Sequence, residues 1–357
     1  MQLLAPLVGV VCACIASGML ECSSPEPLTP TQSRGAHLYG RMCSVCHAPS
    51  GDGYAADQAP ALAHPDFLAT VSDDYLRTAI ANGRAGTTMS AWSNVRGGPL
   101  SAADVDAVVA FVRSWQFRPR AQLDEGPRTG DKARGAEAFE RECVRCHGAS
   151  GTGGPNVHIG GRDLLASASD GFLRYAIVHG RPGTAMPAFG VSLGEGAIED
   201  VVALLRSWQT TAPPGPRPQP VRLPPLPLGP VPLNPRGPEP EAFVPYGTGA
   251  GTTRADVIKA QLDRGARMAL LDARAPSDYM REHIAGAVSV PFYGPEPYFS
   301  ALPRDAWLVC YCACPHAESG QLAQKLVGKG FTKVTVLDEG LGVWRMRKYP
   351  TQTGVDP

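Results

Sequence analysis

This sequence of 357 residues has no excess of either charge, since 33 basic side chains meet 33 acidic ones. Lys and Arg are scattered and no nucleic-acid motif occurs, so nothing calls for a polyanionic partner. It also lacks a dispersed cysteine framework. Its ten cysteines fall into tight clusters, unlike the spacing of a disulfide-stapled secreted domain. After the first 20 residues there is no apolar run long enough to span a bilayer. Any membrane association is thereby confined to the N-terminus. Met1 to Leu20 is uncharged, and residues 1–22 read as an export segment, although the basic n-region of a signal peptide is absent. Cys22 and Cys14 are candidate lipid sites; an uncleaved anchor helix is the alternative reading.

What is present is, first, a repeat. Arg34-Gly35-Ala36 opens a segment that runs through Cys43, Cys46 and His47. Arg134-Gly135-Ala136 opens another through Cys143, Cys146 and His147, and each copy ends on Ser-Trp-Gln. Val105, Val108, Val109, Val112 and Trp115 recur at helical spacing, as do Ile198, Val201, Val202, Leu205 and Trp208, which predicts an amphipathic helix closing each copy. Ser101 with Asp104 reads as its N-terminal cap. A middle helix is expected over Tyr75 to Ile80, stopping near Gly83, and its counterpart over Leu173 to Val178, stopping near Gly180. Gly35 and Gly135 each precede an aromatic residue by four, a spacing that lets two helices approach closely. Copies of about 85 residues have thin cores and benefit from a bound staple.

Both copies carry C-x-x-C-H: Cys43-Ser44-Val45-Cys46-His47 and Cys143-Val144-Arg145-Cys146-His147. Two thiols at this spacing reach the two vinyl groups of one porphyrin, with the histidine under the iron. Zinc and a redox dithiol are the competing readings. A zinc site shared between the copies would leave both histidines idle, and a thioredoxin-like dithiol lacks its flanking strand. Met89 and Met186 follow the middle helices in matching segments, Gly86-Thr87-Thr88-Met89 and Gly183-Thr184-Ala185-Met186, and are the candidate second axial ligands. Core filling is the ordinary use of a methionine; the matched placement argues for ligation. His158 and His179 are the alternatives to Met186, while His37 and His64 read as surface residues. The cofactor expectation is two covalently attached haem c groups.

Residues 34–118 and 134–210 resemble class I cytochrome c domains, with attachment motif, methionine loop and C-terminal helix in order. The resemblance implies small all-α folds at 30–118 and 128–210, a haem edge near the surface, and electron transfer between a redox donor and an acceptor protein. Both axial positions would be filled, which leaves no iron position open for oxygen.

Residues 211–249 read as a proline-rich spacer, with fourteen prolines between Thr211 and Gly247. Extended at roughly 3 Å per residue it would reach on the order of 100 Å. Residues 250–351 then alternate between elements: a helix over Asp256 to Leu262, strands at Met268 to Leu271, Trp307 to Tyr311 and Lys333 to Leu337, and a helix from Ser319 to Leu326. That order predicts an α/β domain with a parallel sheet. Cys312, Cys314 and His316 lie between the second strand and its helix. Cys310 is expected in the core, on the opposite side of the strand.

Residues 252–350 resemble a rhodanese domain, through Asp272-Ala273-Arg274, His283-Ile284-Ala285-Gly286-Ala287, the loop at Cys312, and Gly340 to Trp344. The resemblance implies that Cys312 accepts sulfane sulfur as a persulfide, with Cys314 a second thiol beside it. Asp272, Arg274 and His283 match positions read as structural. Glu318 departs from the family, which commonly has a basic residue there, and would repel an anionic donor. A catalytically silent binding domain, and a soft-metal site at Cys312, Cys314 and His316, are the alternatives. Two functional readings stand: an exported dihaem cytochrome linked to sulfane-sulfur chemistry, periplasmic, with an N-terminal lipid as its candidate tether; or a pure respiratory electron carrier with a docking domain.

Overall fold

The computed structural model describes residues 27–56, 59–126, 129–211, 223–224, 229, 231–313 and 316–357. The export segment and Cys314 lie outside the described residues. The first copy comprises α1 (Pro30–Met42), α2 (Ser44–His47), α3 (Pro65–Thr70), α4 (Asp73–Asn82) and α5 (Ala102–Ser114). The second repeats it with α6 (Lys132–Glu142), α7 (Val144–His147), α8 (Arg162–Ser167), α9 (Asp170–His179) and α10 (Gly190–Thr211), the last bent where Gly194 leaves helical geometry.

The sequence explains these elements locally. Thr29 and Gln32 form a complete capping box at α1, and Ser101 and Asp104 form another at α5. Ser72 and Ser169 cap the middle helices at equivalent positions. The first and last helix of each copy cross at a glycine. A Cβ on Gly35 would sit 1.9 Å from the Ala107 carbonyl oxygen, and one on Gly135 2.0 Å from that of Asp200. Only glycine permits the crossing. Arg34 and Arg134 then bind Asp104 and Asp200 across it, at 2.7 and 2.8 Å.

The third domain comprises β1 (Thr252–Thr253), α11 (Ala255–Asp263), β2 (Met268–Asp272), α12 (Pro276–Arg281), β3 (His283–Ile284), β4 (Ala287–Ser289), β5 (Trp307–Tyr311), α13 (Ala317–Gly328), β6 (Val334–Leu337), α14 (Gly340–Met346) and β7 (Thr351–Gln352). Its five-stranded sheet has the order β1-β6-β5-β2-β4 and every pairing is parallel. The central strands β2, β5 and β6 are buried throughout, as expected of a parallel sheet covered on both faces. β3 and β7 pair antiparallel beside it.

Cys310 is fully buried, as expected, but not on the face expected. It joins Leu322, Ala323 and Leu326 of α13 in one apolar cluster, the side on which Cys312 meets Ser319. Positions two apart on a strand share a face.

The proline-rich stretch is not all free chain. Residues 231–249 lie against the third domain: Asn234 Nδ2 donates to the Gly265 carbonyl, Glu239 accepts from Trp307 Nε1 at 2.9 Å and pairs with Lys333 at 2.7 Å, and the Tyr246 amide donates to Val334. The domain in turn is docked on the first copy. Ser277 Oγ donates to the Ala91 carbonyl at 2.8 Å, Ser90 Oγ donates to Asp278, and Arg41 Nη2 donates to the Tyr293 carbonyl at 2.6 Å. Trp92 packs edge-on against Tyr293. Composition marks a spacer; it does not show what the far end of that spacer folds against.

Candidate redox cavity and cysteine loop

One cavity of about 870 Å³ is lined by residues of all three domains. Cys43, Cys46, His47 and Met89 face it from the first copy and Cys143, Cys146, His147 and Met186 from the second. The short helices α2 and α7 put each histidine directly after its second cysteine, on the cavity wall.

The histidines are oriented in the same way. His47 Nδ1 donates to the Pro60 carbonyl at 2.9 Å, and His147 Nδ1 donates to that of Val157 at 2.8 Å. A carbonyl can only accept, so it fixes the proton on Nδ1 and leaves the Nε2 lone pair for a ligand. Burial pulls both imidazoles below their ordinary pKa, outweighing the carbonyl's opposite effect. The same burial pushes the Cys43 thiol up to about 12 and that of Cys143 up to about 11. Neither is a ready thiolate.

The methionine loops also match. Thr87 Oγ1 accepts from the Met89 amide at 3.1 Å and Thr184 Oγ1 from the Met186 amide at 3.2 Å. Each loop is closed by an arginine amide, Arg84 to Met89 and Arg181 to Met186. The alternatives to Met186 fall differently. His179 is exposed and lies tilted against the Tyr175 ring; it is not on the cavity wall. His158 is on the wall but accepts from the Gly153 amide and lies near His147. His64 is more than a surface residue, since its Nε2 donates to Pro182 of the second copy while its Nδ1 caps α3. His37 is exposed.

These residues fit a covalently bound, dicarboxylate macrocycle. The observation that decides it is Arg84, whose Nη2 is buried with no hydrogen-bond partner and which lines the cavity. Arg181, its equivalent, is buried enough to lower its pKa. Neither arginine forms an ion pair with a described carboxylate. Two cations at an apolar seam, over Tyr75 and Phe172, call for anions such as propionates. Sequence reading missed both, although Gly-Arg-x-Gly-Thr precedes each methionine in the two copies. Among the described residues no three His, Cys, Asp or Glu side chains gather as a metal site, so a zinc ion shared between the copies has no ligand set there.

The same cavity reaches the third domain. Arg274, Ala313 and Glu318 are on its wall, and α13 packs against α2. Cys312 is fully buried just past β5, with Sγ 3.3 Å from Ser319 Oγ. Asp272 holds Arg274 in a buried pair at 2.6 Å. His283 is locked by the Tyr279 and Asp356 carbonyls and stacked on Tyr279. His316 Nε2 is engaged by Asp338. Glu318 is buried at 7% exposure, and its carboxyl is held well above the usual range by burial and then by nearby Cys312 and Asp278.

Known proteins divide along the same lines. The family of cytochrome c oxidase, cbb3-type, subunit III matches residues 30–112 and 130–205, and the rhodanese-like domain family matches 254–347. The cbb3-type cytochrome c oxidase subunit FixP of Azorhizobium caulinodans is 30% identical over 187 residues, 49% of this chain and 59% of that protein. The thiosulfate sulfurtransferase GlpE of Pseudomonas fluorescens is 34% identical over 96 residues, 27% of this chain and 85% of that protein. A solved rhodanese-like domain from an Anabaena protein is 28% identical, covers 30% of this chain and 82% of that one, and superposes with a TM-score of 0.28. The chain spans 59–63% of the length of the curated cytochrome relatives it matches. It is built of tandem cytochrome c domains followed by a domain that belongs to the rhodanese-like family.

Proposed function

We propose that this is an exported dihaem cytochrome that passes electrons between redox partner proteins, and that its third domain carries sulfane sulfur on Cys312. The observation behind the first part is the pair of carbonyl-oriented histidines, each sharing a cavity with a methionine loop of the same build. Cys43 and Cys46, and Cys143 and Cys146, would form the thioether bonds. His47 with Met89, and His147 with Met186, would supply the axial ligands. Haem c bound there supplies one-electron exchange at a low-spin iron whose potential the methionine raises. The chain's own contribution is to fix the imidazole tautomer, seat the thioether sulfur, exclude water and present Arg84 and Arg181 to carboxylates. Docking of α13 on α2 supports the link to sulfur, because the Cys312 loop and the first attachment motif then share one cavity.

The second reading, a carrier with a silent docking domain, is favoured by buried Glu318 beside Cys312. One experiment separates them. The oxidised protein is mixed anaerobically with polysulfide, glutathione persulfide or thiosulfate while the haem bands are followed. Reduction that is lost in Cys312→Ser supports sulfur-linked transfer. Reduction that persists in Cys312→Ser, or none, favours the plain carrier. Whole-protein mass must first show two haem increments.

A further inference from the structure

Three arginines of the third domain line the shared cavity, and each is already paired. Arg274 is bound to Asp272 at 2.6 Å, Arg281 to Asp278 at 2.7 Å and Arg345 to Glu282 at 3.3 Å. All six residues but Asp272 line the shared cavity. The remaining ionisable group that the third domain contributes to that wall is Glu318, 7% exposed and with no hydrogen bond or ion pair to any described residue. A dianion approaching the third domain's side of the cavity would meet three arginines that are already paired and, in Glu318, a carboxyl group with no described partner. Charge without compensation in such a site is costly.

We infer that Cys312 exchanges sulfur with a small hydropersulfide carrying at most one negative charge, that it discriminates against thiosulfate, and that Glu318 sets this selectivity. The inference rests on the reading of Cys312 as a sulfur carrier and goes on to name the donor class. In the transfer, the Cys312 thiolate attacks the outer sulfur of R–S–S–H. A new S–S bond forms, the old one breaks, R–S⁻ leaves with the electron pair, and Cys312–S–S–H remains. No outside oxidant or reductant is needed. Ser319 Oγ, 3.3 Å from the thiol sulfur, is placed to hydrogen-bond it. Burial raises the Glu318 carboxyl's hold on its proton, and in its protonated form the group offers an O–H to the incoming sulfur and adds no charge repulsion to such a donor.

The test loads the full-length holoprotein anaerobically with either cysteine hydropersulfide, which carries at most one net negative charge, or the thiosulfate dianion. The gain of one sulfur atom is followed by whole-protein mass, with Cys312→Ser as the blank. The expectation is loading from the hydropersulfide at least about tenfold faster than from thiosulfate, the scale of one uncompensated charge near a protein surface. Glu318→Lys should bring thiosulfate loading up to or above the hydropersulfide rate. Glu282→Gln, which releases Arg345 from a partly exposed pair and leaves Glu318 in place, should raise thiosulfate loading in the same direction if Glu318→Lys does not fold. Equal wild-type rates with both donors, or no gain in a folded variant, would overturn the selectivity and leave the carrier reading standing. Loading from neither donor would instead remove the carrier reading.

Discussion

The two cytochrome copies share their internal bonds almost one for one and differ in what covers the methionine loop. In each, an arginine of the last helix ties together the carbonyls ending the preceding short helix and an acid of the middle helix. Arg113 binds Leu68, Val71 and Asp73, while Arg206 binds Leu165, Ala168 and Asp170. In each, an aromatic of the first helix meets a closing tryptophan edge-on, Tyr39 with Trp115 and Phe139 with Trp208. Outside the scaffold they part. Ser90, Ala91 and Trp92 are buried, under Asp278, Ser277 and Tyr293 of the third domain. Pro187 and Ala188, which stand at the same places, are exposed. The lesson is that duplication kept what holds the fold and released what chooses the neighbour.

That comparison can be broken at several points. The largest effect is expected at the methionines: Met89→Ala and Met186→Ala should each lower one of two reduction potentials and leave the other, read by potentiometric titration of the haem bands. If both potentials move together in either variant, the one-methionine-per-copy assignment is wrong. Next come the crossings. Gly35→Ala and Gly135→Ala force a carbonyl contact of about 2 Å and should each cost about 1–3 kcal/mol or more in overpacking, measured by thermal unfolding. A neutral result would mean that the helices do not cross there.

A smaller effect sharpens the difference between the copies. Ser277→Ala removes a buried bond that only the first copy receives, worth about 1 kcal/mol. It should speed proteolytic release of the third domain and alter the first potential alone; an unchanged digestion rate would argue against the latch. The smallest effect is in pH. Glu318 has a folded pKa raised by burial, so between its unfolded value near about 4.3 and that raised value the folded state binds the extra proton. Stability from this group therefore falls as pH rises through that window. Glu318→Gln should flatten the fall, and a variant with the wild-type slope of melting temperature against pH would count against a buried neutral acid.

Much of this was written in local pattern. The C-x-x-C-H motifs, valine stripe and capping pair Ser101 and Asp104 each act within a few residues, so spacing alone located the two attachment motifs and α5. The parallel sheet followed from strands that alternate with helices. What escaped were contacts made by tertiary placement. Arg84 and Arg181 look like ordinary loop cations until the two copies meet through Tyr75 and Phe172, whose rings lie 5.5 Å apart. His64 looked superficial because its acceptor, Pro182, is 118 residues away. The face of Cys310 is legible in strand periodicity, since a residue two positions before Cys312 shares its side of the sheet. The anchoring of residues 231–249 depends on partners such as Lys333 and Gly265 that no proline count reveals.

The single cavity has a bearing on how the molecule is put together. Its wall is shared by all three domains, so under the dihaem reading proposed above a copy still lacking its group would leave a gap in the lining of the next. Attachment would then come first, while the segments are still apart, and closure of the three bodies afterwards.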